Sequence, residues 1–224
     1  NFNSQGNANL KPSDNYNVDL KWDLNPTPTE LISLTAFYKL IKNPISRIEV
    51  ASAGGYLSYE NIADKATVAG VEVEVRKNLF VRPLSSAANG MNKLSFGLNG
   101  SYIYTNAKMP LATVTTGSQL EGAAPWIANF DLSHNFTKGT HSFINTLVFN
   151  YVSDKIYTIG TQGYQDIIEQ GMMTLDFVSQ AKLNKYVSLT LKARNLLNPS
   201  YKLSRKANES GEKVVLSDYK KGIN

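Results

Sequence analysis

At 224 residues, 42% of them hydrophobic, the chain is long enough for one β domain or a sizeable part of a larger one. A mean hydropathy of −0.26 and the lack of any run of about twenty apolar residues exclude a helical membrane protein, though not a barrel whose strands are apolar only at alternate positions. The absence of cysteine removes disulfide frameworks and thiolate metal sites, and a net charge of +5 without a basic run or helix argues against nucleic-acid binding.

The chain opens on a polar, loop-like stretch, Asn1 to Pro12, with no signal peptide, so a mature protein or an internal piece is expected. A first strand is predicted over about Tyr16 to Leu24, where Val18, Leu20 and Trp22 oppose Asn17, Asp19, Lys21 and Asp23. The segment Asn25-Pro26-Thr27-Pro28 stops it, because proline cannot donate to a sheet ladder. A second strand runs from Leu31 to Ile41, with Ile32, Leu34, Ala36 and Tyr38 on its apolar side. Asn43 to Lys65 reads as a long connection carrying Tyr56 and Tyr59.

The third strand sets Ala69, Val71, Val73 and Val75 against Glu72, Glu74 and Arg76. A connection of small residues, Ser85 to Asn92, leads to a fourth, in which Leu94, Phe96, Leu98, Tyr102 and Tyr104 share one face. After a loop from Ala107 to Gly122, the fifth places Trp126, Ala128, Phe130, Leu132 and Phe136 opposite Asn129, Asp131, Ser133 and Asn135. Thr137-Lys138-Gly139-Thr140 is a tight turn in which glycine supplies a positive φ. The sixth strand, His141 to Ser153, alternates poorly because Asn145 interrupts Phe143, Leu147, Phe149 and Tyr151. A loop from Asp154 to Gly171 precedes the seventh strand, with Met173, Leu175, Phe177, Ala181 and Leu183 on one face. The eighth follows across Asn184-Lys185 and carries Val187, Leu189, Leu191 and Ala193, and a last long loop covers about Asn198 to Ser217.

Short turns thus follow strands one, three, five and seven, and long loops follow two, four, six and eight. That order fits an antiparallel up-and-down transmembrane β-barrel with its short turns facing the periplasm. A soluble sandwich also has one-sided strands, but these run about ten residues or more against about five or six in globular sheets. Trp22, Tyr38, Tyr102, Tyr104, Trp126 and Tyr151 stand near the ends of apolar faces, where amphipathic rings suit a headgroup zone. Glu72, Glu74, Arg76, Asp131, Asp176, Lys182, Lys192 and Arg194 fall on the opposite faces and are expected to line a watery lumen.

Chemistry is sparse. Glu72 and Glu74 could pair for glycoside hydrolysis, but lumen charges offset by Arg76 are the simpler reading. Asp131, Ser133 and His134 cannot form a triad, since neighbours on a strand point to opposite faces. Two histidines cannot build a histidine-rich metal site, so no catalytic residue, metal or cofactor is expected. The better ligand candidates are outer-loop residues: Tyr56, Tyr59, Gln119, Glu121, Tyr157, Gln162 and Tyr164, the alternative being loop-on-loop packing. Lys202, Arg205, Lys206 and Lys213 are candidates for lipopolysaccharide phosphates, or are simply solvated.

Four segments in order resemble the barrel of TonB-dependent outer-membrane receptors, particularly those of Bacteroidota. They are Asn9-Leu10-Lys11-Pro12 with Asn15-Tyr16; Ala36-Phe37-Tyr38-Lys39 with Ile41-Lys42-Asn43-Pro44-Ile45; Tyr59-Glu60-Asn61 with Ala63-Asp64-Lys65-Ala66 and Gly70 to Val75; and Ala193-Arg194-Asn195-Leu196-Leu197-Asn198-Pro199 with Tyr201. The resemblance implies that residues 1–224 are the C-terminal portion of the barrel, about eight to nine strands of about twenty-two, without plug or final strand. It implies import of a scarce nutrient (siderophore, haem, cobalamin, glycan or peptide) powered by TonB through the plug, in the outer membrane of a Gram-negative bacterium. Lipid, lipopolysaccharide and a surface lipoprotein would be further partners. A small eight-stranded barrel, acting as adhesin or structural protein, and a soluble binding sandwich stand as alternatives.

Overall fold

The computed structural model describes residues 3–50, 56–84, 89–109, 119–161, 163–207 and 211–224. Fifteen strands follow one another in them. They are β1 (Asn3–Ser4), β2 (Asp14–Leu24), β3 (Leu31–Lys42), β4 (Ile45–Val50), β5 (Tyr56–Asn61), β6 (Lys65–Pro83), β7 (Gly90–Ala107), β8 (Trp126–Lys138), β9 (His141–Val152), β10 (Lys155–Thr158), β11 (Ile167–Glu169), β12 (Met172–Lys182), β13 (Ser188–Ala193), β14 (Ser200–Lys206) and β15 (Lys213–Lys220).

The eight strands expected from period-two patterning are β2, β3, β6, β7, β8, β9, β12 and β13, and they form one antiparallel sheet in chain order. The third is longer than its alternating core implies: β6 spans 19 residues, because a bulge near Asn78 and Phe80 keeps the ladder going beyond the point where alternation breaks. β2 and β13 stand at opposite ends of the strand order and do not pair with each other, so these eight strands form an open wall and not a closed eight-stranded barrel.

The short turns have local causes. Lys138 pairs with His141 across a two-residue loop whose Gly139 sits at φ 58°, as tight hairpins require. Asn184 Oδ1 accepts the N–H groups of Tyr186 (2.8 Å) and Val187 (2.9 Å), an Asx turn that reverses the chain before β13. At the far end of β13, Asn195 and Asn198 take positive φ and turn a corner. Asn195 N–H donates to Asp176 Oδ1 (2.8 Å), its side-chain amide to Gly222 O (2.7 Å), and Asn198 Oδ1 accepts Gly222 N–H (3.2 Å). Arg194 and Asn224 exchange backbone hydrogen bonds, so the last residues pair along the line of the β13 edge.

One face of the wall is uncovered. Val18, Leu20 and Leu191 are 71%, 75% and 62% exposed, and Leu34, Val71, Leu98, Trp126, Phe130 and Met173 stand out on the same side. A contiguous apolar surface of this kind is stable only against apolar surroundings, and a sandwich would have buried it. Register resolves the facing of β9: Phe143, Leu147, Phe149 and Tyr151 pair with Phe136, Leu132, Phe130 and Ala128 on the apolar side, and Asn145 stands among them opposite His134.

Three of the four predicted long loops are not irregular; residues 110–118 of the other lie outside the described residues. Between β3 and β6, β4 and β5 form a hairpin that β1 joins in parallel; β10, β11, β14 and β15 form a four-stranded sheet. The predicted connections 43–65, 154–171 and 198–217 therefore carry β4, β5, β10, β11, β14 and the start of β15, strands of three to eight residues that are too brief to stand out from the sequence. The compact apolar core lies here, beyond the wall's loop end: Ile48, Ile62, Ala66, Ala107, Leu120, Ile156 and Ile159 cluster together. The two small sheets are stitched by a parallel bridge between Ile48 and Ile159, with Glu49 N–H on Ile159 O (3.1 Å) and Ile159 N–H on Arg47 O (3.0 Å). Asn61 binds Lys11 O (3.0 Å) and Asn43 O (2.9 Å), which gathers three of the motif segments at the base of this head.

Candidate functional site

Two regions could meet a solute: the polar face of the wall and the head above it. On the wall, Glu72, Glu74, Arg76, Asp131 and Asp176 share the face opposite the apolar one, as do Lys182 and Lys192 by register. Asp23, Ser33, Glu74, Asn99, Asn129, Asn150 and Thr174 form a single row across seven strands. The row is cross-linked: Asn99 donates to Glu72 (2.7 Å), Asn129 to Asn99 (3.4 Å) and Asn150 to Thr174 (3.1 Å), while Arg76 pairs with Glu74 at 2.6 Å. Glu72 and Glu74 are thus hydrogen-bonded and ion-paired members of a polar lattice. One row lower, Gly97 leaves the space that the Asp131 carboxylate fills, since a Cβ there would collide with it. Asp176 is an anchor for the Asn195 corner, and Arg194 lies exposed beside it.

The head contains a cavity of about 640 Å³ between its two small sheets. Arg47 from β4, Tyr59 from β5, Tyr157 from β10, Tyr201 from β14, and Ser217 and Tyr219 from β15 line it. The Arg47 guanidinium lies 3.9 Å from the Tyr157 ring centre, a cation–π stack. It donates to Tyr157 O at 2.6 and 3.0 Å and pairs with Glu121 at 2.9 Å, and Glu121 also accepts the Arg47 backbone N–H. The cation is thereby neutralised within the wall of the cavity. The rings of Tyr201 and Tyr219 stand 5.1 Å apart and tilted. Burial, and then the nearby Glu169 carboxylate, push the Tyr201 phenol up to about 12, so it stays protonated and able to donate.

Of the loop residues singled out from sequence, Tyr59 and Tyr157 meet in this cavity. Tyr56 begins β5 opposite Val50, Gln119 is exposed before Leu120, and Gln162 lies outside the described residues. Glu121 is committed to Arg47, and Tyr164 faces Arg205 with the guanidinium 5.2 Å from its ring. Arg205 is not a solvated phosphate ligand: it is paired with Glu49 and mostly buried, and desolvation lowers its pKa. Lys202 is held by Asp218 at 3.2 Å. Sequence reasoning missed Arg47 and Tyr201, both inside predicted loops, and Tyr219, two residues beyond the last one; for Arg47 the alternation of Ile45 to Val50 was the available signal. Among the described residues, no three His, Cys, Asp or Glu side chains converge as a metal site.

A family model described as "TonB dependent receptor-like, beta-barrel" matches residues 1–196. No curated protein and no solved structure matches the chain.

Proposed function

Because the chain belongs to the TonB-dependent receptor β-barrel family, outer-membrane transporters of Gram-negative bacteria and not enzymes, we propose that it forms wall and mouth of a nutrient importer whose cargo docks in the tyrosine-lined cavity. In this reading, residues 1–224 are the C-terminal portion of a larger barrel, the apolar face meets lipid, and the polar lattice faces the lumen. The four motif segments support a Bacteroidota-type receptor. Uptake in the family is coupled to TonB, and no covalent bond is made or broken.

The observation that carries the cargo assignment is the chemistry of the cavity. Four phenol rings and Ser217 line it, and its Arg47 is already neutralised by Glu121. Flat aromatic faces with hydroxyl tips suit a neutral, polyhydroxylated ligand, because each ring offers apolar contact area and a hydrogen bond together. An oligosaccharide therefore fits better than an anionic ferric siderophore, which would call for an unpaired cation. Tyr219, 49% exposed, packs against Tyr201, whereas Tyr59, 42% exposed, stands outside that ring pair and can be removed without breaking it. In the full receptor, Tyr59→Ala should weaken oligosaccharide binding by up to about tenfold in calorimetry, as expected for one aromatic contact, without lowering its abundance in the membrane. Unchanged affinity, or tighter binding of a ferric siderophore than of any glycan tested, overturns the assignment.

A further inference from the structure

Charge on the apolar face of the wall is sorted by sign and by height. Apart from Asp14 at the loop end of β2, no carboxylate stands on that face in the eight wall strands; Asp19, Asp23, Glu72, Glu74, Asp131 and Asp176 all point the other way. Its cations lie at the two ends. Lys42 and Lys65 pair at the loop end, beside Asp14. Lys77, Arg82 and Lys138 are exposed at the tight-turn end, where register puts them with Phe96, Asn92 and His141 on the apolar side.

The same end carries polar groups that an apolar face does not otherwise need. His134 Nε2 bonds Asn92 Oδ1 at 2.9 Å, and Ser179 Oγ bonds Asn145 Oδ1 at 2.7 Å. Arg82 is opposite Asn92, Asn92 is opposite Phe136, and Lys138 lies two residues beyond Phe136 on the same face. Arg82, Lys138 and the Asn92–His134 pair therefore surround one spot on three adjacent strands. Glu30, just before β3 at this end, is occupied elsewhere and accepts the Asn78 backbone N–H at 3.0 Å. Among the described residues, no carboxylate on the apolar side pairs with these cations, and the height at which they stand is that of a headgroup layer below a hydrocarbon band.

We propose that Arg82, Lys138 and the Asn92–His134 pair form a binding site for the phosphate of a phospholipid in the periplasmic leaflet. Arginine and lysine supply the charge, and the Asn92 amide and the His134 ring supply hydrogen-bond capacity to phosphate or glycerol oxygens. Phe80, Phe136 and Phe143 form the greasy floor on which the first part of the acyl chains lies, with the Arg82 guanidinium 5.2 Å from the Phe80 ring. The site rests on the barrel architecture and not on the identity of the cargo.

The test is native mass spectrometry of the full receptor in a neutral detergent, titrated with phosphatidylglycerol, diacylglycerol, lipid A or inorganic phosphate. Phosphatidylglycerol should be retained, diacylglycerol should not, and inorganic phosphate should fail to displace it. Each cation near an anionic lipid surface contributes about a fivefold gain, so the double variant Arg82→Gln/Lys138→Gln should lose roughly twenty-five-fold in retention. Lys42→Gln/Lys65→Gln, at the other end of the same face, should lose nothing. Equal retention by the wild type and the Arg82/Lys138 variant, equal retention of diacylglycerol, displacement by free phosphate, or preference for lipid A each overturns the proposal. A second arm needs no variant: a phosphatidylglycerol with a photoreactive group near its phosphate should label residues 77–82 and 134–141. Labelling confined to other segments overturns the proposal equally.

Discussion

The wall and the head are built from the same kind of strand but solve opposite problems. The wall exposes its large apolar side chains and keeps its polar ones in a hydrogen-bonded lattice on the reverse side; Leu20 is 75% exposed. The head folds inward on itself, and Ile159 and Ile167 have no exposed surface at all. The solvent each region faces explains the difference. A wall with hydrocarbon on one side needs no second layer, whereas short strands in water gain stability only by covering one another. The wall thus depends on the membrane, and the head on its own core.

The largest expected effect follows from the wall side of that contrast. Leu34 and Thr35 are neighbours on β3 that point to opposite faces. Leu34→Arg in the full receptor should cost about 2–4 kcal/mol of folding stability, the depth-dependent penalty of a cation facing lipid. Thr35→Arg, beside Glu72, should stay within about 0.5 kcal/mol. Urea titrations of the receptor refolded into bilayers would measure both. Equal costs would mean that the apolar face is covered by protein and would erase the distinction between wall and head.

The next effect belongs to the head alone. A Cβ on Gly160 would run into the backbone carbonyl of Tyr164 and the backbone of Gln165, atoms that cannot move aside as a flexible side chain can. Gly160→Ala should therefore destabilise the head by about 1–3 kcal/mol through overpacking. Limited proteolysis should cut variant loops faster while the urea midpoint of the wall is unchanged. If the two regions soften together, they form one cooperative unit.

How much of this was legible in the residues depends on the same contrast. The eight wall strands were legible from period-two alternation, because one-sided exposure leaves that signature, although Asn145 breaks it in β9 and it is confined to six residues in β13. β10 and β11 could not: with four and three residues they are too short for the burial of Ile156, Thr158 and Ile167 to show as a period in the sequence. Tyr59 and Tyr157 stood out as aromatics in polar loops. Arg47 did not, since its role comes from contacts with Glu121, 74 positions away, and Tyr157, 110 positions away. Pairings at such separations have no local imprint. The motif residues Lys11, Asn43 and Asn61 lay in between: their types were noticeable, but their convergence at the base of the head needed the fold.

Arg47 gives a sharper and somewhat smaller test of the head. Its side chain and that of Glu121 are only about one-fifth exposed, at 22% and 20%. Arg47→Ala leaves a half-buried carboxylate without its cation, and should cost about 2 kcal/mol, less than the fully buried case because water still reaches the pair. Glu121→Ala should cost a similar amount. The double variant should cost less than the sum of the two, and a coupling of about 1 kcal/mol in a double-mutant cycle would separate the ion pair from general packing. Strict additivity would show that Arg47 acts through its stack on Tyr157 alone.

The smallest effect appears only in alkali. Burial and Glu169 raise the Tyr201 phenol to about 12 in the folded head, against 10 as an ordinary tyrosine. A raised pKa means that the folded form holds its proton more tightly than the unfolded one. The resulting stabilisation is complete below pH 10 and is lost as pH rises from 10 to about 12, where the unfolded chain binds fewer protons than the folded one. Protease resistance of the head should therefore fall across that window, with tyrosinate absorbance rising in step. Tyr201→Phe cannot ionise and should flatten the decline, while the resistance of the wall stays level in both proteins. A variant that loses resistance as steeply as the wild type would assign the alkaline softening to other groups, and would remove Tyr201 as the buried donor of the cavity.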